Sequence, residues 1–136
     1  MFLSGRNDMR SLLGLFFLLL MMSACAGPTP EELASLAAKG YYEHLIKGEY
    51  EQFLEGKDGV KSLPAVYRTQ LLDGYKQFIA QQESVHHGIQ DVRIVNAKAD
   101  TVQHYMNVFL VLCFGDSTNE QVVVPMVQRD GVWNMR

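Results

Sequence analysis

Apolar residues recur at two different spacings along this chain, and the spacing changes near residue 88. Before that point they recur at every third or fourth position, which predicts helices. The first helix is expected to start at Thr29-Pro30, where Thr29 can cap it, and to end at Gly48. A short second helix covers residues 49–54, and Pro64 opens a third. Gly40 and Gly74 fall inside helices, and close helix packing would offset their cost.

After residue 88 the apolar residues alternate with polar ones, which predicts four strands over residues 89–97, 101–114, 121–129 and 132–135. The links are short, so neighbouring strands should be antiparallel. Residues 98–100 are expected to link the first two strands. Asp130-Gly131, between the last two strands, is a strong signal for a tight hairpin turn. Pro125 predicts a sheet edge or a bulge. The fold class is therefore α+β, with N-terminal helices packed on a curved four-stranded antiparallel sheet.

The beginning of the chain has the pattern of an export signal. Leu12 to Met22 form an unbroken apolar run of 11 residues, whereas a membrane-spanning helix needs about 20. Arginines precede this run and small residues follow it, as in a secretory signal peptide. The tetrad ending at Cys25 resembles the bacterial lipobox, which implies an acylated cysteine. We expect a signal peptide over 1–24, a lipidated tether over 25–30 and a single domain over 31–136.

Charge and cysteine content narrow the classes of partner. The net charge is −3, from 12 basic and 15 acidic residues, so bulk charge does not favour nucleic-acid binding. With Cys25 acylated, Cys113 has no disulfide partner in its own chain, and we expect it to be a small buried apolar residue. The expected location is the bacterial cell envelope, with a membrane attachment through the acylated Cys25.

The segment KGEYEQFLEG, the helix after it and a meander ending in DGVWNM resemble the nuclear-transport-factor-2-like (NTF2-like), or cystatin-like, cone fold. The chain is also similar to lumazine-binding-like domains of unknown function on bacterial lipoproteins. The resemblance covers about Glu31 to Arg136. Such folds include enzymes, transport factors and plain binding modules, so the fold does not settle the function.

Four residues are candidates for a pocket inside the cone. Alternation along the second strand places His104 on the inward face, where related cone enzymes carry a general base. Tyr41, Tyr75 and Trp133 could line a small-ligand pocket with it, because these rings combine an apolar body with a polar tip. Ordinary core packing is the competing interpretation of the same aromatic residues.

The opposite face of the sheet is unusually apolar for a face in water. Its candidate interface residues are Tyr105, Phe109 and Val111 on the second strand and Val123 and Val127 on the third. An antiparallel sheet with one wet face should alternate more cleanly. The resemblance implies an explanation, since cone-fold proteins often pair through their sheets. We expect a homodimer or a partner protein on this face.

The sequence favours a non-enzymatic binding or protein-interaction domain on an envelope lipoprotein. It contains no CxxC or HExxH pattern, and no cofactor or metal is predicted. His86 and His87 are adjacent, and from a regular strand two adjacent side chains would face opposite ways and could not easily bind one metal. The alternative is a small-molecule isomerase, dehydratase or hydrolase that uses His104 as general base. A second polar group beside His104 in a cavity would distinguish the two, because a base needs an orienting partner.

Overall fold

The computed structural model describes residues 26–136, so the predicted signal peptide and the acylation site at Cys25 lie outside the described residues. The elements, in chain order, are α1 (Pro30–Ile46), α2 (Tyr50–Glu55), a 3₁₀ turn (Val60–Ser62), α3 (Ala65–His86), β1 (Ile89–Asp100), β2 (Tyr105–Phe114), β3 (Asn119–Arg129) and β4 (Val132–Met135). The strands form one antiparallel sheet in the order β1-β2-β3-β4. Within residues 26–136, no helix is long and apolar enough to cross a membrane.

Both ends of α1 follow from local sequence. The hydroxyl of Thr29 accepts a hydrogen bond from the backbone N–H of Glu32 at 3.2 Å, and Pro30 occupies the first helical position, as predicted. Past the other end, Gly48 has a φ of +78°, a conformation that favours glycine. This turn directs the chain into α2, which starts two residues later at Tyr50.

The two hairpin links differ in how well the sequence predicts them. Asp130 and Gly131 have φ values of +52° and +79°, so the predicted tight turn is confirmed. The predicted link at residues 98–100 is wrong, because β1 continues to Asp100 and the turn covers residues 101–104. The Asp100 carboxylate accepts the backbone N–H groups of Val102 and Gln103 at 3.0 and 3.1 Å, which places the turn after Asp100.

The core lies between α1 and the inward face of the sheet. Alternate residues of β2 are buried, and they are Met106, Val108, Leu110, Leu112 and Phe114. Ala34 and Ala38 of α1 are fully buried in the same cluster. Because alanine has a short side chain, it allows α1 to lie close to the strands. The helix side of the cone is therefore closed over β1 and β2.

Pro125 lies on β3 just before the residues that pair with β4, and its backbone faces the edge side of the strand, which confirms the edge position, one of the two that its sequence context allowed. Its carbonyl oxygen accepts the N–H of Arg136 at 2.9 Å, so this peptide faces away from β2. Along a strand, the N–H and C=O of one residue point to the same side. The ring nitrogen of Pro125 therefore costs no hydrogen bond to β2, and the β2–β3 register continues through it without a bulge.

The long helix α3 is attached loosely to the rest of the domain. None of its 22 residues is fully buried. Tyr75 and Ile79 pack against the core, and Arg68 contacts Glu51 and Glu55 of α2 at 2.7 and 2.5 Å. The predicted apolar face of this helix is correct only in part. Its flank of Tyr67 and Phe78 is exposed, because α3 turns only one edge of that face to the core.

Close helix packing does not offset the cost of the two helical glycines. A Cβ atom added to Gly40 or Gly74 meets no atom within 4 Å. At Gly115, by contrast, an added Cβ would overlap the carbonyl oxygen of His87. A side chain at position 115 would thus collide with the backbone of His87, whereas positions 40 and 74 have room for one.

Replacing Gly40 or Gly74 with alanine should raise the free energy of unfolding by about 1 kcal/mol each, because alanine loses less backbone entropy in a helix. Urea unfolding followed by circular dichroism measures the change. The Gly115→Ala protein is the matched control, and it should lose stability. A loss of stability at both helical positions would contradict the open surroundings of these glycines.

Candidate functional site

Tyr41 fastens α1 to the last strand. Its hydroxyl donates a hydrogen bond to the carbonyl oxygen of Trp133 at 2.7 Å, and its ring lies where a Cβ on Gly56 would stand. The amide nitrogen of Asn134 lies 3.5 Å from the same hydroxyl and 3.4 Å from the carbonyl oxygen of Gly56. Burial raises the pKa of Tyr41, so the phenol stays a neutral donor. This set of contacts makes Tyr41 a structural fastener between α1, α2 and β4.

Tyr75 belongs to a separate aromatic cluster. Phe53 packs edge-to-face with Tyr42 and Tyr75, with ring centroids 5.4 and 4.8 Å apart. Burial raises the pKa of both tyrosines. The three rings line an open pocket of about 240 Å³ together with Lys57 and Met135. The pocket opens where β4 ends and leaves part of β3 unpaired.

The prediction that His104 faces inward is wrong. The residue lies in the exposed turn before β2, with a φ of +61°, because the strand starts at Tyr105. The alternation of inward and outward side chains begins only at Tyr105, so it does not place His104 in the core. His104 and Trp133 line the same open depression of about 350 Å³, beside Asp100. The carboxylate of Asp100 is already engaged by the backbone of the turn.

The four predicted pocket residues are consequently divided between two places. Trp133 connects Tyr41, through a hydrogen bond, with the depression at His104. Tyr75 lines the other pocket, at the open stretch of the β3 edge. The indole nitrogen of Trp133 is buried and has no hydrogen-bond partner among the described residues. These positions give the residues no common cavity.

The outer face of the sheet carries an apolar strip that one polar residue interrupts. In the β2–β3 register, Phe109 pairs with Val123 on this face, and Asn107, opposite Pro125, is the polar residue within the strip. Tyr105, Phe109, Val111 and Val127 are half-buried, and Val123 is 51% exposed. We call these five residues the outer strip. Cys113 extends it along β2 and is half-buried, whereas it was expected to be buried.

Polar and charged residues border the outer strip. On β1, Asn96 pairs with Phe109 and Arg93 with Val111. Arg93 contacts the Asp91 carboxylate at 3.4 Å, so this border is partly neutralised. On the β4 side, the guanidinium of Arg136 lies 4.4 Å from the centre of the Tyr105 ring. An apolar centre with a polar border is the usual anatomy of a protein interface.

A histidine–aspartate contact at the far end of α3 was not found from the sequence. His86 Nδ1 lies 2.8 Å from a carboxylate oxygen of Asp116, and its ring stacks on Phe114 with centroids 4.4 Å apart. The Asp116 carboxylate also accepts hydrogen bonds from the hydroxyl and N–H of Thr118. These bonds from Thr118, and then that from His86, lower the pKa of Asp116 to about 2.

The pattern Asp116-Ser117-Thr118 is typical of a side-chain-capped turn and was the available signal for this contact. His86 is the last residue of α3, and His87 follows it with a φ of +60°, so neither histidine lies in a strand. Within residues 26–136, no group of three histidine, cysteine or acidic side chains is arranged to hold a metal ion.

The helices and the meander together form an NTF2-like cone fold. No family model and no curated protein matches the sequence. Among solved structures, the chain is similar to a Campylobacter jejuni protein provisionally described as an NTF2-like transpeptidase, with a TM-score of 0.55 and 17% identity. The similarity covers 72% of this chain and 92% of that one. It confirms the predicted fold, and at this identity it shows the fold alone.

The low pKa of Asp116 predicts an acid-dependent stability. A carboxyl group whose pKa is lower in the folded state stabilises the fold above its unfolded pKa, and this contribution is lost as the pH falls from about 4 to about 2. Asp116→Asn should therefore be less stable than the native protein at neutral pH, and this difference should shrink between pH 4 and pH 2. Thermal unfolding at a series of pH values measures it.

Asp73→Asn, at an exposed position on α3, is the matched control for the loss of one carboxylate. It should not reproduce the change in pH dependence. If the native protein and Asp116→Asn lose stability in parallel down to pH 2, the contact with Thr118 and His86 does not stabilise the fold.

Proposed function

We propose that this protein is an exported lipoprotein, acylated at Cys25, whose cone domain is a non-enzymatic interaction module that pairs with a second copy of itself through the outer strip. The single observation that carries this proposal is the apolar face that the sheet turns away from its own helices. Its centre, Phe109 opposite Val123, has no covering element among the described residues. A partner on this face would remove it from water.

The chemistry of the outer face favours a second copy as the occupant. A two-fold interface places the same patch on both subunits, so it must be complementary to itself. A strip of aromatic and β-branched residues meets that condition, because apolar contact has no direction. The amide side chains of Asn96 at its border and Asn107 within it can both donate and accept hydrogen bonds. The Arg93 charge is next to Asp91, which reduces repulsion between two copies.

The lipid anchor rests on the sequence before α1. The apolar run, the small residues and Cys25 have the order of a lipoprotein signal, and residues 26–29 form a short, exposed segment without helix or strand. This segment is a suitable tether between an acylated cysteine and a folded domain. The expected location, in the bacterial cell envelope, follows from the same signal.

The position of His104, the general base of the alternative enzymatic function, favours binding over catalysis. His104 lies in an exposed turn, and the nearby Asp100 carboxylate is held by backbone N–H groups. That arrangement does not orient His104 as a general base would need. The similarity to the Campylobacter jejuni protein, at 17% identity, supports a shared fold and no shared activity.

Phe109→Glu should prevent pairing, because it would bury a charge at the centre of the interface. Sedimentation of the chain from residue 26 onward should give a dimer mass for the native sequence and a monomer mass for the variant. Val66→Glu, at an exposed apolar position on α3, is the matched control and should remain dimeric. A native protein that sediments as a monomer at high concentration would overturn the pairing proposal.

Cys25→Ser should abolish membrane attachment, since it removes the thiol that carries the lipid. In a bacterial host, the native protein is expected in the membrane fraction, and its N-terminal peptide should have the mass of an acylated Cys25. The matched control is Cys113→Ser, which should leave attachment unchanged. Recovery of native Cys25 as an unmodified thiol would exclude the anchor.

A further inference from the structure

The end of the domain closest to the tether carries an exposed apolar patch. Leu33 and Leu36 lie in the first two turns of α1 and are 42% and 60% exposed, and Ile94 of β1 is 37% exposed. Leu36 and Ile94 line one open groove of about 320 Å³. We call Leu33, Leu36 and Ile94 the tether-end patch. Because Leu36 and Ile94 adjoin across this groove, they form a contiguous exposed apolar surface, the kind that marks a protein or membrane contact site.

The direction of α1 fixes where this patch lies. The C-terminal half of the helix borders Gln90 to Val92 at the start of β1, whereas Ser35 and Leu36 border Ile94 to Ala97. The helix therefore runs antiparallel to β1, and its first turn points toward the β1–β2 hairpin. Val102 at the tip of that hairpin is also exposed. The tether and the patch thus share one end of the molecule.

The length of the tether limits how far this end can move from the membrane. Pro30 is five residues after Cys25, and a fully extended chain over these five steps spans at most about 18 Å. With Cys25 in the bilayer surface, the first turn of α1 stays within that distance of the lipids. The patch is therefore held at a high local concentration of lipid, which favours contact with it.

We propose that the tether-end patch rests on the bilayer that holds the acylated Cys25, with lipid as its occupant. The inference rests on the proposed lipid anchor and adds an orientation to it. Glu31 and Glu32 border the groove, so apolar burial rather than attraction to anionic lipid drives the contact. Zwitterionic vesicles are accordingly the right probe.

A tryptophan reporter tests this orientation in the acylated full-length protein. Trp133 is the single tryptophan, and its indole nitrogen makes no hydrogen bond among the described residues, so Trp133→Phe supplies a dark background. Leu36→Trp then places a reporter on the patch. The matched control is Val85→Trp, an exposed apolar position near the end of α3, where the chain turns into the start of β1.

Both proteins are reconstituted in phosphatidylcholine vesicles with brominated acyl chains, which quench tryptophan on contact. We expect the Leu36→Trp reporter to lose most of its emission and the Val85→Trp reporter to keep most of it. Adding Leu33→Ser and Ile94→Ser to the Leu36→Trp protein should restore its emission while the protein still pellets with the vesicles. Equal emission from the two reporters, or an unquenched Leu36→Trp in the anchored protein, would overturn the inference.

The controls separate this inference from the proposal on which it rests. The mass of the N-terminal peptide, measured first, reports acylation. An unmodified Cys25 overturns both, whereas an acylated protein with an unquenched reporter overturns only the orientation. If Trp133→Phe does not fold, as judged by circular dichroism, the same reporters are placed in the chain that retains Trp133. The quenching of each reporter protein beyond that of the parent protein is then compared between Leu36→Trp and Val85→Trp.

Discussion

The close approach of α1 to the sheet is the constraint on which the rest of the fold depends. Ala34 and Ala38 are fully buried, and the helix can lie over β1 and β2 because these side chains are so short. The same approach brings the hydroxyl of Tyr41 to the carbonyl oxygen of Trp133. A longer side chain at either alanine would lift the helix and break this fastening. The inward apolar residues of β2 then have a fixed surface to pack against.

The periodicity of apolar residues predicted the helices and strands better than it predicted how they pack on one another. The alternation of β2 correctly separates inward Leu110 from outward Phe109, since a strand side chain can face only two ways. It failed at His104, where the Asp100 carboxylate stabilises a turn that interrupts the alternation. Nothing in helical spacing shows that α3 turns only one edge to the core. That depends on the position of the whole helix, which distant residues determine.

The candidate site shows the same limit. The sequence identified the outer strip, because an apolar residue on the wet side of an alternating strand is visible without a structure. It could not place Tyr41 and Tyr75 in different pockets, since their separation depends on how α1 and α3 pack. The contact of His86 with Asp116 joins residues 30 apart in sequence. Such a pair becomes visible only when the end of α3 and the β2–β3 turn are placed together.

The proposed pairing surface and the proposed membrane contact are compatible only in one arrangement. The outer strip is a face of the sheet, whereas the tether-end patch lies at one end of its strands. Two copies joined face to face can both rest on one bilayer if their two-fold axis is perpendicular to the membrane plane. An axis within that plane would direct the two tethers to opposite sides. A membrane-bound pair therefore has little freedom in how its subunits are related.

The attachment of β4 also affects when the domain can fold. Met135 donates its N–H to the carbonyl of Gly56 and accepts the N–H of Asp58 on its own carbonyl oxygen, each at 2.7 Å. Strand β4 is therefore bonded to the segment that follows α2, early in the domain. Asn134 and Gly56 are 78 residues apart in sequence. Closing so long a loop is slow relative to forming local helices and hairpins. If the chain is exported as proposed, the domain would thus remain incompletely folded until β4 had crossed the membrane.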